Sequence, residues 1–346
     1  MKKKLCRITA LLLAAVLSLG GCGQPGAGKK RTDSTQQTEE TKNKKEDQSK
    51  SDKKGPEIDG LTYESTMDLT YATEFDVYDY KDGYKLLDVH EDRQYLVVPE
   101  GKEAPEGLSE DIVVLQQPLD HIYMAATAIM SLLDAVDAID QVKFSGLNAS
   151  GWYVEDAKKA MESGDMIYAG KYSEPDYETL VNGECDLAVE STMILHTPKV
   201  QEMIEDLDIP VFVDYSSYES HPLGRTEWIK LYGAMLNKED AADAFFEKQV
   251  ENVDALKDFK NTEKTVAFFY VSSDGTVVVR RSDDYIPKMI ELAGGRYVFD
   301  DLTGDDSNTS AVKLTMEEFY AQAADADYLI YNSSIDNPIN SVKDLE

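Results

Sequence analysis

From Ile112 onward, short apolar runs alternate with segments whose apolar residues recur at helical spacing. Ile112-Val113-Val114-Leu115 fits a buried parallel strand, and a helical stretch is expected from His121 to about Ala138. Val142 to Phe144 leads into a loop over 145–153 and a helix around Glu155–Met161. Leu187-Ala188-Val189 precedes a helix over Lys199–Leu207, and Ile209-Pro210-Val211-Phe212-Val213 is again strand-like. Strands that alternate with helices predict an α/β layer with parallel strands. Such sheets hold ligands in the crevice at the carboxyl ends of their strands.

The rhythm then changes. Pro222 suits the first turn of a helix on which Trp228, Leu231, Tyr232 and Met235 share a face. After Asn237-Lys238-Glu239-Asp240, a second helix runs from Ala241 to about Leu256, long enough to reach about 25 Å. Beyond Thr262 the α/β pattern restarts: a strand over Val266–Val271, a turn at Ser272-Ser273-Asp274-Gly275 and an extended Val277–Val279. A helix over Ile286–Leu292 stops at Gly294-Gly295, a second covers Glu317–Ala324, and Tyr328–Tyr331 is a strand. The predicted fold is α/β, with two lobes built on parallel central sheets and bridged by one long helix. The lobes are expected over 111–220 and 261–346, with a helical connector over 221–260. Residues 57–110 read as a small β-rich extension, because Asp68–Val98 alternates apolar residues with Tyr and Asp.

The N-terminus has another character. Lys2, Lys3, Lys4 and Arg7 precede an apolar run, Ile8 to Leu19, which ends at Leu19-Gly20-Gly21-Cys22. That is the layout of an export signal over residues 1–21, too short for a permanent bilayer span of about 20 apolar residues. Residues 22–56 hold no large apolar side chain, so they are expected to form a disordered linker. Residues 23–56 carry nine Lys/Arg against six Asp/Glu, whereas 57–346 carry 22 against 60. A basic segment suits an anionic membrane surface. The acidic remainder excludes a nucleic-acid partner.

The chemistry of catalysis finds little support. Cys185 is the one thiol outside residues 1–22 and reads as a small core residue, so neither a disulfide nor a Cys-based metal site is expected. There is no Gly-x-Ser-x-Gly elbow, no His-Glu-x-x-His pair and no phosphate-binding Gly-Lys loop. His121, His196 and His221 lack close ligand spacing, and no resident metal or cofactor is expected. One internal echo stands out. Tyr177-Glu178-Thr179-Leu180-Val181 leads into Cys185–Val189 much as Glu318-Phe319-Tyr320-Ala321 leads into Ala326–Ile330, one helix–strand pair per lobe.

Several stretches in order carry a family resemblance: His221-Pro222-Leu223-Gly224-Arg225-Thr226-Glu227-Trp228-Ile229-Lys230, then Lys238-Glu239-Asp240-Ala241-Ala242, then Tyr285-Ile286-Pro287-Lys288-Met289-Ile290-Glu291-Leu292-Ala293-Gly294-Gly295. With Leu19-Gly20-Gly21-Cys22 in front, the chain resembles the substrate-binding lipoproteins of ABC transporters that capture iron–siderophores, haem or cobalamin. These belong to the periplasmic-binding-protein superfamily whose lobes are joined by a helix. The resemblance implies a lipid on Cys22, an extracytoplasmic location on the cell membrane, and a monomer that works with permease subunits and their ATPase. Its ligand would be an iron chelate, haem or a corrinoid. Glu178 and Glu318 are implied to dock on the permease, with Glu317 a near alternative to the second. Strand-end loops would line the cleft through Gln117, Trp152, Tyr153, Tyr215, Tyr270, Arg280, Arg281, Tyr331 and Asn332, with Gln116, Ser191-Thr192 and Asp214 beside them.

The family continues past this point with a further helix, strand and helix, so a second lobe ending at Glu346 is expected to be incomplete, or the chain to be a fragment. A surface lipoprotein enzyme such as a hydrolase, a binder of a non-metal organic ligand, and an adhesion or assembly lipoprotein are the alternative readings.

Overall fold

The computed structural model describes residues 54–90, 92–303, 310–333 and 341. Cys22, the signal segment and almost all of the linker lie outside them. Among the described residues no helix is long and apolar enough to cross a membrane.

Chain order begins with a five-stranded sheet: β1 (Tyr63–Thr66), β2 (Phe75–Tyr80), β3 (Lys85–Val89), β4 (Gln94–Val98) and β5 (Ile112–Gln116), in that spatial order. β1 to β4 form an antiparallel meander, as alternation in 68–98 predicts, and β5 pairs parallel to β4. This changes one assignment. Ile112–Gln116, expected to open the first lobe's sheet, completes the N-terminal sheet, so the boundary placed at 110/111 separates β5 from the sheet it belongs to. Both faces are covered. Phe75, Val77, Leu87, Val89, Tyr95 and Val97 join the main core, while Tyr78, Tyr80, Leu86, Leu96 and Val98 form a second cluster with Ile58 and Tyr84.

The first lobe follows as β6 (Ile122–Met124), α1 (Met130–Ala135), β7 (Val142–Ser145), α2 (Glu155–Ser163) and β8 (Ile167–Tyr168). A small ribbon, β9 (Gly170–Lys171) with β10 (Glu174–Pro175), leads to α3 (Tyr177–Asn182), β11 (Leu187–Ser191), α4 (Pro198–Glu205) and β12 (Val211–Asp214). The sheet runs β12-β11-β6-β7-β8 and is parallel throughout. The helix expected from His121 therefore begins later. Ile122, Tyr123 and Met124 are all buried, as in a central strand, and a continuous apolar run does not reveal its own period.

Two helices come next, α5 (Pro222–Leu236) and α6 (Glu239–Asp254). α5 is buried on almost every side. His221 caps it by accepting the Leu223 N–H on Nδ1, and Asn237 ends it at φ +57°. α6 packs on α5 and α1, and its turns continue to Phe259. It is the expected long helix, but it lies along the first lobe, and residues 254–264 are exposed throughout.

The second lobe holds β13 (Lys264–Val271), β14 (Val277–Arg280), α7 (Tyr285–Leu292), β15 (Gly295–Tyr297), β16 (Ala311–Leu314), α8 (Met316–Ala323) and β17 (Tyr328–Tyr331). Its sheet is mixed rather than parallel. β14 runs antiparallel to β13 and β16, whereas β15 and β17 run parallel to β13. Only five residues join β13 to β14, and a hairpin is the one pairing so short a link allows. Phe269, Phe299 and Phe319 centre a separate core, and β17 leaves Tyr328 and Leu329 each 58% exposed.

The N-terminal sheet is tied to α5 by two buried carboxylates. Glu227 accepts the N–H groups of Thr70, Tyr71 and Ala72 at 2.7–3.1 Å. Glu219 accepts those of Thr73 and Glu74, the Thr73 hydroxyl and Trp228 Nε1. Gly224 makes the approach possible, because a Cβ there would sit 2.9 Å from the Tyr71 carbonyl. Replacing Glu227 with Gln sets an amide NH2 against backbone donors. Glu227→Gln is expected to lose about 3 kcal/mol in urea unfolding; a loss below about 0.5 kcal/mol would remove this strap from the account.

Candidate functional site

The two lobes meet where β12 ends. Asp214, its last residue, is buried and accepts hydrogen bonds from the Ser216 N–H (3.1 Å), Ser216 Oγ (2.6 Å) and Tyr232 Oη (2.7 Å). Burial lifts its pKa to about 6 against the pull of those bonds. The turn that follows carries Arg225 back over itself: Nη2 donates to the Ser217 carbonyl and Nε to that of Glu219 at 3.4 Å. The same guanidinium lies 3.6 Å from the ring centre of Tyr285, the first residue of α7. Burial lowers the Arg225 pKa, and Tyr285 and Asp284 oppose that shift. Asp284 caps α7 by accepting the Ile286 N–H and lies 3.7 Å from Arg280. Beside this contact, a cleft of about 550 Å³ includes Ser220 and His221 of the first lobe and Asp284, Lys288 and Arg296 of the second. Burial, and then Lys288, holds the His221 pKa below its ordinary value.

The carboxyl edge of the parallel sheet carries a row of exposed apolar side chains. In strand order these are Tyr218 after β12, Met193 and Leu195 after β11, Tyr153 after β7, and Tyr168 ending β8. Tyr153 is 99% exposed, although its neighbour Trp152 is buried with Nε1 donating to Ser145 Oγ at 2.9 Å. Aromatic and thioether surface lined up at strand ends is what a ligand with an apolar face requires.

The residues expected to line a cleft separate into groups. Tyr215 is buried edge-on against Tyr218 at 5.3 Å, in the turn that holds Arg225. Arg280 donates to Ser310 Oγ, and Arg281 makes a two-pronged pair with Asp283 at 2.9 and 2.6 Å. Tyr270, Tyr331 and Asn332 gather at the carboxyl ends of β13 and β17. There Val271 N–H donates to Tyr331 Oη, and the Asn332 N–H to the Phe269 carbonyl. Trp152 and Tyr153 share the loop after β7. Gln117 is not brought to these groups. Its Nε2 donates to the Met235 carbonyl and its Oε1 accepts from Asn237 Nδ2, which places it at the far end of α5, about 15 Å along the axis from Arg225. Sequence reading missed Arg225, Tyr285, Tyr168, Met193 and Tyr218 as site residues. The available signal was position, each lying at or just past a strand's carboxyl end or in the first turn of a helix. Among the described residues no three His, Cys, Asp or Glu side chains converge as metal ligands.

The two acids assigned to docking differ in surroundings. Glu178 is exposed, the second residue of α3 after its cap Asp176. Glu318 is the third residue of α8. Its carboxylate accepts from the Thr315 N–H and hydroxyl in a capping box, and those bonds lower its pKa. Counted from the caps, the counterpart of Glu178 is Glu317, which is exposed and second in its helix.

One buried acid stands apart among the described residues. Glu190 on β11 is fully buried, and neither carboxyl oxygen has a hydrogen-bond partner among the described residues. Burial pushes its pKa from 4.5 to about 9. Tyr123 and Tyr177 are raised too, by burial first and the Glu190 charge second. The folded state therefore holds a proton that the unfolded chain releases above pH 4.5, and stability falls as pH rises from there to about 9. Glu190→Met is expected to flatten that slope and to gain up to about 3 kcal/mol at pH 7. Thermal unfolding at pH 5, 7 and 9 checks this, and a gain equal at pH 5 and pH 9 would contradict it.

Two uncharacterized lipoproteins of Methanocaldococcus jannaschii align with the chain. One is 29% identical over 243 residues, covering 67% of this chain and 56% of its own length; the other is 26% identical over 341 residues, covering 95% and 80%. The chain thus spans little more than half the length of the first. A periplasmic binding protein from Veillonella parvula shares the fold, with a TM-score of 0.51 at 15% identity over 82% of this chain and 80% of that one. The sequence profile of the periplasmic binding protein family matches residues 124–342, so the chain belongs to that family.

Proposed function

We propose that this protein is the solute-receptor lipoprotein of an ABC importer and that its cargo is an iron complex, a siderophore chelate, haem or a related macrocycle. Membership of a binding-protein family makes the chain a binder and not an enzyme. The observation that carries the reading is the meeting of two lobes beside the carboxyl end of β12, on a sheet edge where Tyr153, Tyr168, Met193 and Tyr218 are exposed. Arg280, Arg281 and the Tyr270–Tyr331–Asn332 group supply the polar side from the second lobe. Capture is an equilibrium between lobes that needs no covalent step. A lipid on Cys22 would keep the receptor beside its permease and raise its effective concentration there.

Docking is assigned to one exposed acid per lobe, Glu178 and Glu317. Exposed acids of this kind set orientation and encounter rate for Arg-bearing partners more than affinity. Glu178→Ala with Glu317→Ala is expected to depress uptake in cells at least tenfold and to leave ligand binding unchanged. Glu318→Ala is expected to lower stability slightly through the lost capping box. Uptake that falls with Glu318→Ala and not with Glu317→Ala would reverse the assignment.

The cargo is tested by thermal unfolding of the full chain in detergent with ferric siderophores, haem and cobalamin. At ligand a hundred times the Kd, binding adds about 2.7 kcal/mol, a rise of about 5 °C or more for a chain of this size. A flat response to every chelate would end the iron reading and leave the receptor reading in place.

A further inference from the structure

We infer that Arg225 is a positioning residue that sets the spacing of the two lobes, an inference that rests on the receptor reading above. The covalent link is fastened on the second-lobe side, where the Thr262 N–H and Oγ1 both donate to the Gly294 carbonyl, and its exposed residues, from the end of α6 to the start of β13, join neither hydrophobic core. A noncovalent strut is needed, and the Arg225–Tyr285 stack supplies one, at 3.6 Å between lobes that otherwise have separate cores.

Both ends of the strut are anchored. On the first lobe, the guanidinium is gripped by the Ser217 and Glu219 carbonyls. The turn that presents those carbonyls is itself pinned by Asp214 to Ser216 and Tyr232, and by the Glu219 carboxylate to Thr73, Glu74 and Trp228. On the second lobe, Tyr285 opens α7, whose Ile290 sits in the core with Phe269 and Phe319. A shift of the ring therefore moves the helix and the lobe with it. The planar fork matters as much as the charge: it donates in its own plane to the turn and offers its face to the ring, which an ammonium group does not do. The N-terminal sheet lies outside the 124–342 family match, yet it gains a role here, since its loop 70–74 braces the turn that holds Arg225.

Hydrogen–deuterium exchange of the full-length, ligand-free chain in detergent tests the strut. Arg225→Ala is expected to speed exchange in 284–290, in α7, and in 215–221 by roughly 2- to 30-fold, the range of a cation–aromatic contact. Residues 228–236 of α5 should keep the wild-type rate. Tyr285→Leu should match Arg225→Ala, the double variant should add nothing, Tyr285→Phe should stay at wild type, and Arg225→Lys should fall between. Unchanged exchange in 284–290 would overturn the strut. So would an equal rise through 228–236, which would make Arg225 an ordinary end-stabiliser of α5. No added ligand is involved, so failure of the chelate screen leaves this result standing, and failure here leaves the screen standing.

Discussion

Two carboxylates inside the fold, Glu219 and Glu227, take up backbone donors from a loop about 150 residues earlier. Five consecutive N–H groups, from Thr70 to Glu74, end on these two side chains. Buried backbone donors need acceptors, and a charged acceptor makes the stronger bond. The negative charges have few cations beside them. Lys230 Nζ, 3.4 Å from Glu227, is one, and the rest of the compensation comes from aligned N–H dipoles. Once that strap is closed, α5 has sheet on both sides, Trp228 is fixed from the N-terminal side, and the turn before α5 becomes a rigid platform. The position of Asp214, Arg225 and the whole interlobe contact follows from it.

The two lobes stand on unequal foundations. The first shares one continuous core with α5, α6 and one face of the N-terminal sheet, whereas the second has a small cluster around three phenylalanines and an exposed strand, β17. Less apolar burial leaves the second lobe the easier of the two to open locally. The charge pattern adds to this. Most ion pairs of the described residues lie on the surface, where each contributes little, and a strongly acidic body repels itself.

Much of the α/β architecture was legible in the sequence because it depends on period. Val142–Ser145, Leu187–Ser191, Val211–Asp214 and the helices at 155–163, 222–236 and 285–292 all fall where apolar spacing and caps place them. What the pattern did not carry was pairing. Ile112–Gln116 reads as a parallel strand and is one, but its partner is Gln94–Val98 of the meander, a choice made by packing rather than by its own residues. Ile122-Tyr123-Met124 is apolar on all sides, so strand and helix look alike there. At the site, individual aromatics and arginines could be named from their place after strands. Arg225 had a position in the first turn of a helix, but its partner, a ring 60 positions away, could not be read from that position. The capping box likewise decides between Glu317 and Glu318, and it becomes visible only once Thr315 is known to be the cap.

The closeness at Gly224 also bears on the order of assembly. A polypeptide is made from its N-terminus, so residues 70–74 emerge long before Glu219, Gly224 and Glu227 exist to receive them. Until then five amide groups of that loop have only water as partner, and the main-core side of the early sheet has nothing to rest on. Closing so long a loop is entropically slow, and local pairing within the meander gains nothing from it. The docking of the N-terminal sheet on α5 therefore has to wait until α5 has been made. During that interval the segment between Asp68 and Phe75 is open to a protease or a chaperone.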